Sequence, residues 1–175
     1  MNRLRVCLVA AATATAMLAV TGSASAAPAS TSFAVSGSEY AFTSTAGSFA
    51  GLGNGNAGDR ATWNATVVHD PLGSTPPIYI DGGSLTLDTI SLTGADKVTA
   101  SFVYHGGTIT PINPGANCTN QTYAVTGGLE NVATSTTSGG TGTFDVILTH
   151  YRTRIFGLCI TYNAKVSGTA TFAYS

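Results

Sequence analysis

The chain has 175 residues, a formal net charge of −1 and charged side chains at only 9% of its positions. So sparse a set of cations excludes the clustered Lys and Arg footprint of a nucleic-acid binder. It equally offers no electrostatic hold on anionic lipid, so neither nucleic acid nor, once its leader is gone, a membrane is expected as a partner.

The amino terminus reads as a signal peptide. Arg3 and Arg5 supply a short positive region, Val6 to Val20 is an uncharged apolar run, and Ala24-Ser25-Ala26 fits the small-residue rule of signal peptidase. The run is fifteen residues long, short of the roughly 20 that a spanning helix needs. Cleavage is expected after Ala26, dividing the chain into a leader at 1–26 and a single exported domain at 27–175, secreted and extracellular. Cys7 departs with the leader. The exported domain keeps five cations against eight carboxylates, a net charge of −3.

The elements of that domain follow in order. Strands are expected at Phe33–Thr43, Arg60–His69, Ile78–Leu92, Lys97–Tyr104, Gln121–Thr134, Thr143–Arg152 and Leu158–Tyr174. Val, Thr, Ile and aromatic residues dominate them, long charged helix formers are scarce, and apolar residues recur at every second position. Trp63 alternates with Ala61, Ala65 and Val67 on a face expected in the core. In the last strand every even position from Leu158 to Tyr174 is apolar or glycine, so that whole face is expected inside. Apolar parity changes between Leu87 and Ile90, which places a bulge or a tight turn near Asp88. Turn chemistry punctuates Gly51–Asp59, Asp70–Pro77, Gly94–Asp96, Pro111–Asn117 and Ser138–Gly140.

These features predict an all-β domain. A closed or nearly closed antiparallel barrel is favoured over an Ig-like sandwich, because the seventeen residues of Leu158–Tyr174 exceed the common strand length and carry small interior residues suited to a curling sheet. The Cys…Trp…Cys order of antibody domains is absent, since Trp63 precedes both remaining cysteines. Those cysteines, Cys118 and Cys159, stand alone in the exported domain and are expected to pair in an oxidising environment. Closing 41 positions contributes about 4 kcal/mol in the chain-entropy model.

The stretch Tyr123-Ala-Val-Thr-Gly-Gly-Leu-Glu-Asn-Val132, with the glycine spacing that leads into Phe144–Arg154, resembles small secreted β proteins of unassigned function from high-GC bacteria. The resemblance covers about the last third of the chain and implies no particular chemistry.

Catalytic spacings are missing. No G-x-S-x-G, C-x-x-C, H-E-x-x-H or Walker sequence occurs. His69, His105 and His150 lack the spacing of a metal motif, and neither metal nor cofactor is expected. The chief functional expectation is therefore a non-catalytic module that acts by binding or as an envelope or extracellular component. The alternatives are a small barrel enzyme, a hydrolase or isomerase, and a carrier of an apolar ligand, with a site near His150 and Arg152. His150 and Arg152 continue the inward face of Phe144, Val146 and Leu148, with Arg154 following. Arginine rarely enters a core unpaired, so either the strand leaves the core at His150 or these side chains line the mouth of a concavity.

Overall fold

The computed structural model describes residues 29–91 and 94–174. The expected leader, with Cys7, lies outside the described residues. Eight strands follow one another along the chain: β1 (Ala29–Phe42), β2 (Ala46–Gly55), β3 (Arg60–His69), β4 (Ile78–Ser91), β5 (Gly94–Asn113), β6 (Gln121–Ala133), β7 (Gly140–Ile155) and β8 (Leu158–Tyr174). Each pairs antiparallel with the next, and β8 closes the sheet on β1 from Ala29↔Tyr174 to Ser38↔Lys165. The domain is thus an eight-stranded up-and-down barrel, a closure that removes the unpaired edges of an open sheet. A single turn of 3-10 helix (Ala116–Cys118) interrupts the β5–β6 loop.

Period two explains the inside. Phe33 and Val35 of β1, Ala61, Trp63 and Ala65 of β3, Leu85 and Leu87 of β4, and Ala164, Val166, Ala170 and Phe172 of β8 are buried. Burying each large apolar side chain contributes about 1.5–3 kcal/mol. The outward residues of β8, such as Lys165, Ser167 and Thr169, are exposed. At the closing seam, Ser32 and Thr171 share a hydroxyl hydrogen bond of 2.7 Å. Trp63 stays in the core because its indole N–H reaches two carbonyls, Ser36 O at 3.2 Å and Leu52 O at 3.1 Å. Gly37 makes room for the ring: a Cβ there would stand 2.6 Å from Trp63 Cζ2.

Several sequence expectations need correction. Gly51–Gly55 is strand rather than turn, since β2 is built largely of small residues that tuck between β1 and β3. The parity change in β4 occurs at Gly82–Gly83, between the buried Ile78 and Ile80 and the buried Leu85 and Leu87, not near Asp88. Both glycines have positive φ, 146° and 124°, and the ladder to β5 shifts there. β5 begins at Gly94, before the expected start, and runs on past Tyr104 to Asn113. The even face of β8 is buried only from Ala164 onward, while Leu158, Ile160 and Tyr162 are exposed. The expected disulfide joins Cys118 to Cys159.

Candidate functional site

One end of the barrel carries the β1–β2, β3–β4, β5–β6 and β7–β8 connections, and the interior polar groups gather beneath it. β1 alternates inward through Phe33, Val35 and Gly37 to Glu39, and a bulge between Glu39 and Ala41 ends the pattern. The Glu39 side chain is only 8% exposed. Gly47 on β2 leaves the carboxylate its place, because a Cβ there would lie 2.6 Å from Glu39 Oε1 and 2.8 Å from the Phe49 ring. On β7 the inward series Phe144, Val146, Leu148 ends at His150, which is buried. His150 Nε2 approaches Glu39 Oε2 at 3.3 Å. The approach is off the line a hydrogen bond requires, and Nε2 is buried without a hydrogen-bond partner among the described residues. The contact is therefore a close approach of carboxylate and imidazole held short of a formed hydrogen bond. The Tyr123 ring meets the imidazole edge-on at 5.7 Å. Burial pushes the Tyr123 hydroxyl above the usual phenol range, and the Arg152 charge draws it part of the way back.

Below this cluster the side chains leave a cavity of about 90 Å³. Its wall is almost wholly apolar, with Trp63, Leu87, Phe102, Phe144 and Val166 among the lining residues, and Glu39 and His69 are its ionisable groups. His69 Nδ1 lies 2.6 Å from the Asp70 carbonyl oxygen. A carbonyl only accepts, so Nδ1 carries the proton. The β3–β4 loop is pinched at its base, where Asp70 N–H donates to Tyr79 O and Tyr79 N–H donates to Asp70 Oδ2, each at 3.0 Å. That pinch turns Leu72 inward to form part of the cavity wall.

The sequence-chosen residues are placed as follows. His150 faces the interior. Between Tyr151 and Arg152 the ladder to β8 shifts, and the strand leaves the core there. Arg152 does not follow His150 inside: its guanidinium donates to Gly115 O at 3.0 Å and its backbone N–H to Asn120 Oδ1 at 3.2 Å, so it clamps the β5–β6 loop. Arg154 is exposed beyond it. His105 lies on the outside of the barrel, 3.0 Å from Asp81 and stacked between Tyr104 and Tyr79. Among the described residues no three His, Cys, Asp or Glu side chains gather as a metal cage.

Sequence reasoning missed Glu39 and His69. The signal for Glu39 was its odd position in line with Phe33 and Val35, a carboxylate on an otherwise apolar face. His69 similarly continues Ala61, Trp63, Ala65 and Val67. Comparison with family models, curated proteins and solved structures finds no match to this chain.

Proposed function

We propose that the domain is an exported, non-catalytic binding module whose barrel takes the apolar part of a small molecule, with a donor group on that molecule meeting Glu39. The cavity carries this reading. Protein cores rarely leave voids much larger than a water, and at about 24 cal/mol per Å³ a space of about 90 Å³ costs about 2 kcal/mol. A cavity of about 150 Å³ accommodates benzene, so the ligand portion held here is smaller than a ring: a short alkyl group, or the end of a longer chain. Carboxylate oxygens only accept, so an alcohol or amine suits Glu39 and an acid does not.

Trp63 lines the cavity and is the chain's single tryptophan, so its emission reports occupancy. Titration with 1-butanol and butylamine is expected to shift that emission and raise the melting temperature, with butyrate having no effect. Ala65→Leu, which fills part of the cavity, is expected to abolish the response. An unchanged emission and melting temperature with every probe would refute the binding reading.

The Glu39–His150 contact supports a second reading, a hydrolase or isomerase in which carboxylate and imidazole move a proton at the cavity's polar end. A chromogenic ester turned over by the wild type and not by a folded His150→Ala variant would select it.

A further inference from the structure

The outer half of the β7–β8 hairpin is free of the barrel. The β6 partner of β7 ends at Gln121↔His150, and the β1 partner of β8 ends at Ser38↔Lys165. From Tyr151 and Asn163 outward the two strands pair only with each other. An isolated two-stranded ribbon is marginal in water, yet this one is braced toward its base at Arg152 and again next to its tip at Cys159, the partner of Arg154. The Cys118–Cys159 disulfide and the Arg152–Gly115 hydrogen bond tie it to the β5–β6 loop.

Its tip is built against local preference. Ile155↔Leu158 closes a two-residue turn of Phe156 and Gly157, both left-handed at φ 49° and 81°. Such turns favour Asn, Asp or Gly at the first position, and a left-handed phenylalanine is a strained choice. That phenylalanine is also 100% exposed. Ile155 and Leu158 beside it are exposed as well. Neither packing nor turn chemistry accounts for an aromatic here, and strain kept at an exposed position points to function.

We propose that this ribbon is a finger that inserts its tip into an anionic lipid surface. The order of side chains along it matches the depth profile of a membrane interface. Ile155, Phe156 and Leu158 form the apolar end. Arg154 stands two residues back, about 7 Å at strand spacing, near the depth at which phosphates lie when an apolar face enters by roughly 5–10 Å. Tyr151 and Tyr162, ring centroids 6.4 Å apart, follow at the base, where amphipathic rings favour the headgroup level. Around the finger, Tyr40 and Phe42 at the end of β1 and Ile112 at the end of β5 extend the exposed apolar rim on the same end of the barrel.

Charge agrees with this orientation. Residues 151–163 hold two arginines and no carboxylate. Asp59, Asp88, Asp96, Glu130 and Asp145 belong to the opposite half of the barrel, while at the finger's end Glu39 is buried beside His150, Asp70 is bonded to Tyr79 N–H and Asp81 faces His105. Composition offered no membrane partner because it weighs only clustered charge; the exposed tip supplies a hold that charge counting does not register.

The test is flotation of the chain from Ala27 onward, which contains every strand of the barrel, with phosphatidylcholine vesicles made with and without phosphatidylserine. Binding is expected with phosphatidylserine and weakens as salt is raised. Phe156→Asp is expected to lower partitioning by at least about tenfold, the value of burying one aromatic side chain. Arg154→Glu is expected to lower it by about fivefold or more, from the loss of one cation near the surface. Both positions are exposed, so circular dichroism should report an unchanged fold. Failure of the wild type to float with either vesicle, or equal flotation of Phe156→Asp, would overturn the proposal. So would a concentration-dependent dimer in place of vesicle binding that Phe156→Asp abolishes, which would make the tip a contact between copies.

Discussion

β7 and β8 each run through two environments without a change in sequence style. Inside the barrel, Phe144, Leu148, Val166 and Phe172 alternate with outward residues that are mostly hydroxyl or charged, and are buried. Past His150 and Ala164 the strands continue, but Leu158, Ile160 and Tyr162 stand in solvent. The difference lies in what stacks against the sheet. Barrel curvature brings six other strands over the inner half, and nothing comparable covers the outer ribbon. Alternation establishes that a strand has two chemically distinct faces; it does not establish that either is covered.

The largest expected break in this comparison comes from placing one carboxylate in each environment. Phe172→Asp or Val166→Asp buries an unpaired charge and is expected to abolish folding, whereas Ile160→Asp is expected to leave the thermal melt nearly unchanged. Equal tolerance at Ile160 and Val166 would sink the distinction between the two halves. Next comes the staple between them. Replacing both Cys118 and Cys159 by Ser is expected to cost about 2–5 kcal/mol, and amide exchange should show the ribbon losing protection ahead of the barrel strands. A ribbon as protected as before would mean that the disulfide does not brace it.

Relieving the strained tip is a smaller change. Phe156→Gly is expected to stabilise the fold by about 1 kcal/mol or less, read as a modest rise in melting temperature; a clear fall would show that the side chain packs on something. The smallest effect at neutral pH concerns Tyr123, at the border of the two regions. Its proton is held more tightly in the folded than in the unfolded chain. Its contribution is thus complete below the ordinary phenol value of about 10 and is lost as pH climbs through the raised folded value. Ultraviolet titration should show one phenol ionising late, and Tyr123→Phe should remove that step and soften alkaline unfolding. A titration identical in wild type and variant would contradict the burial of that hydroxyl.

Much of the candidate site was legible in part. His150 was readable as the last inward position of β7, because Phe144, Val146 and Leu148 set its parity. Arg152 was assigned the same face by the same parity, and the shift between Tyr151 and Arg152 sends it to Gly115 instead. Glu39 was present in the pattern of β1 but had no visible partner, since His150 lies more than a hundred positions away and only barrel closure brings the two carboxylate and imidazole groups to 3.3 Å.

Local chemistry determined what is local. Period-two alternation, turn residues and the scarcity of helix formers specify strands, the small residues along β8 favoured a barrel over a sandwich, and the lone cysteine pair pointed to the disulfide. Those signals operate over a few residues or through covalent pairing, so one chain read by itself contains them. The tertiary structure decided the cavity, the meeting of Glu39 with His150 and the exposure of the finger. Each is a sum over strands distant in sequence: how much volume the inward side chains leave when eight strands close, and where that closure stops along β7 and β8. No single segment encodes a quantity that exists only once the others are in place.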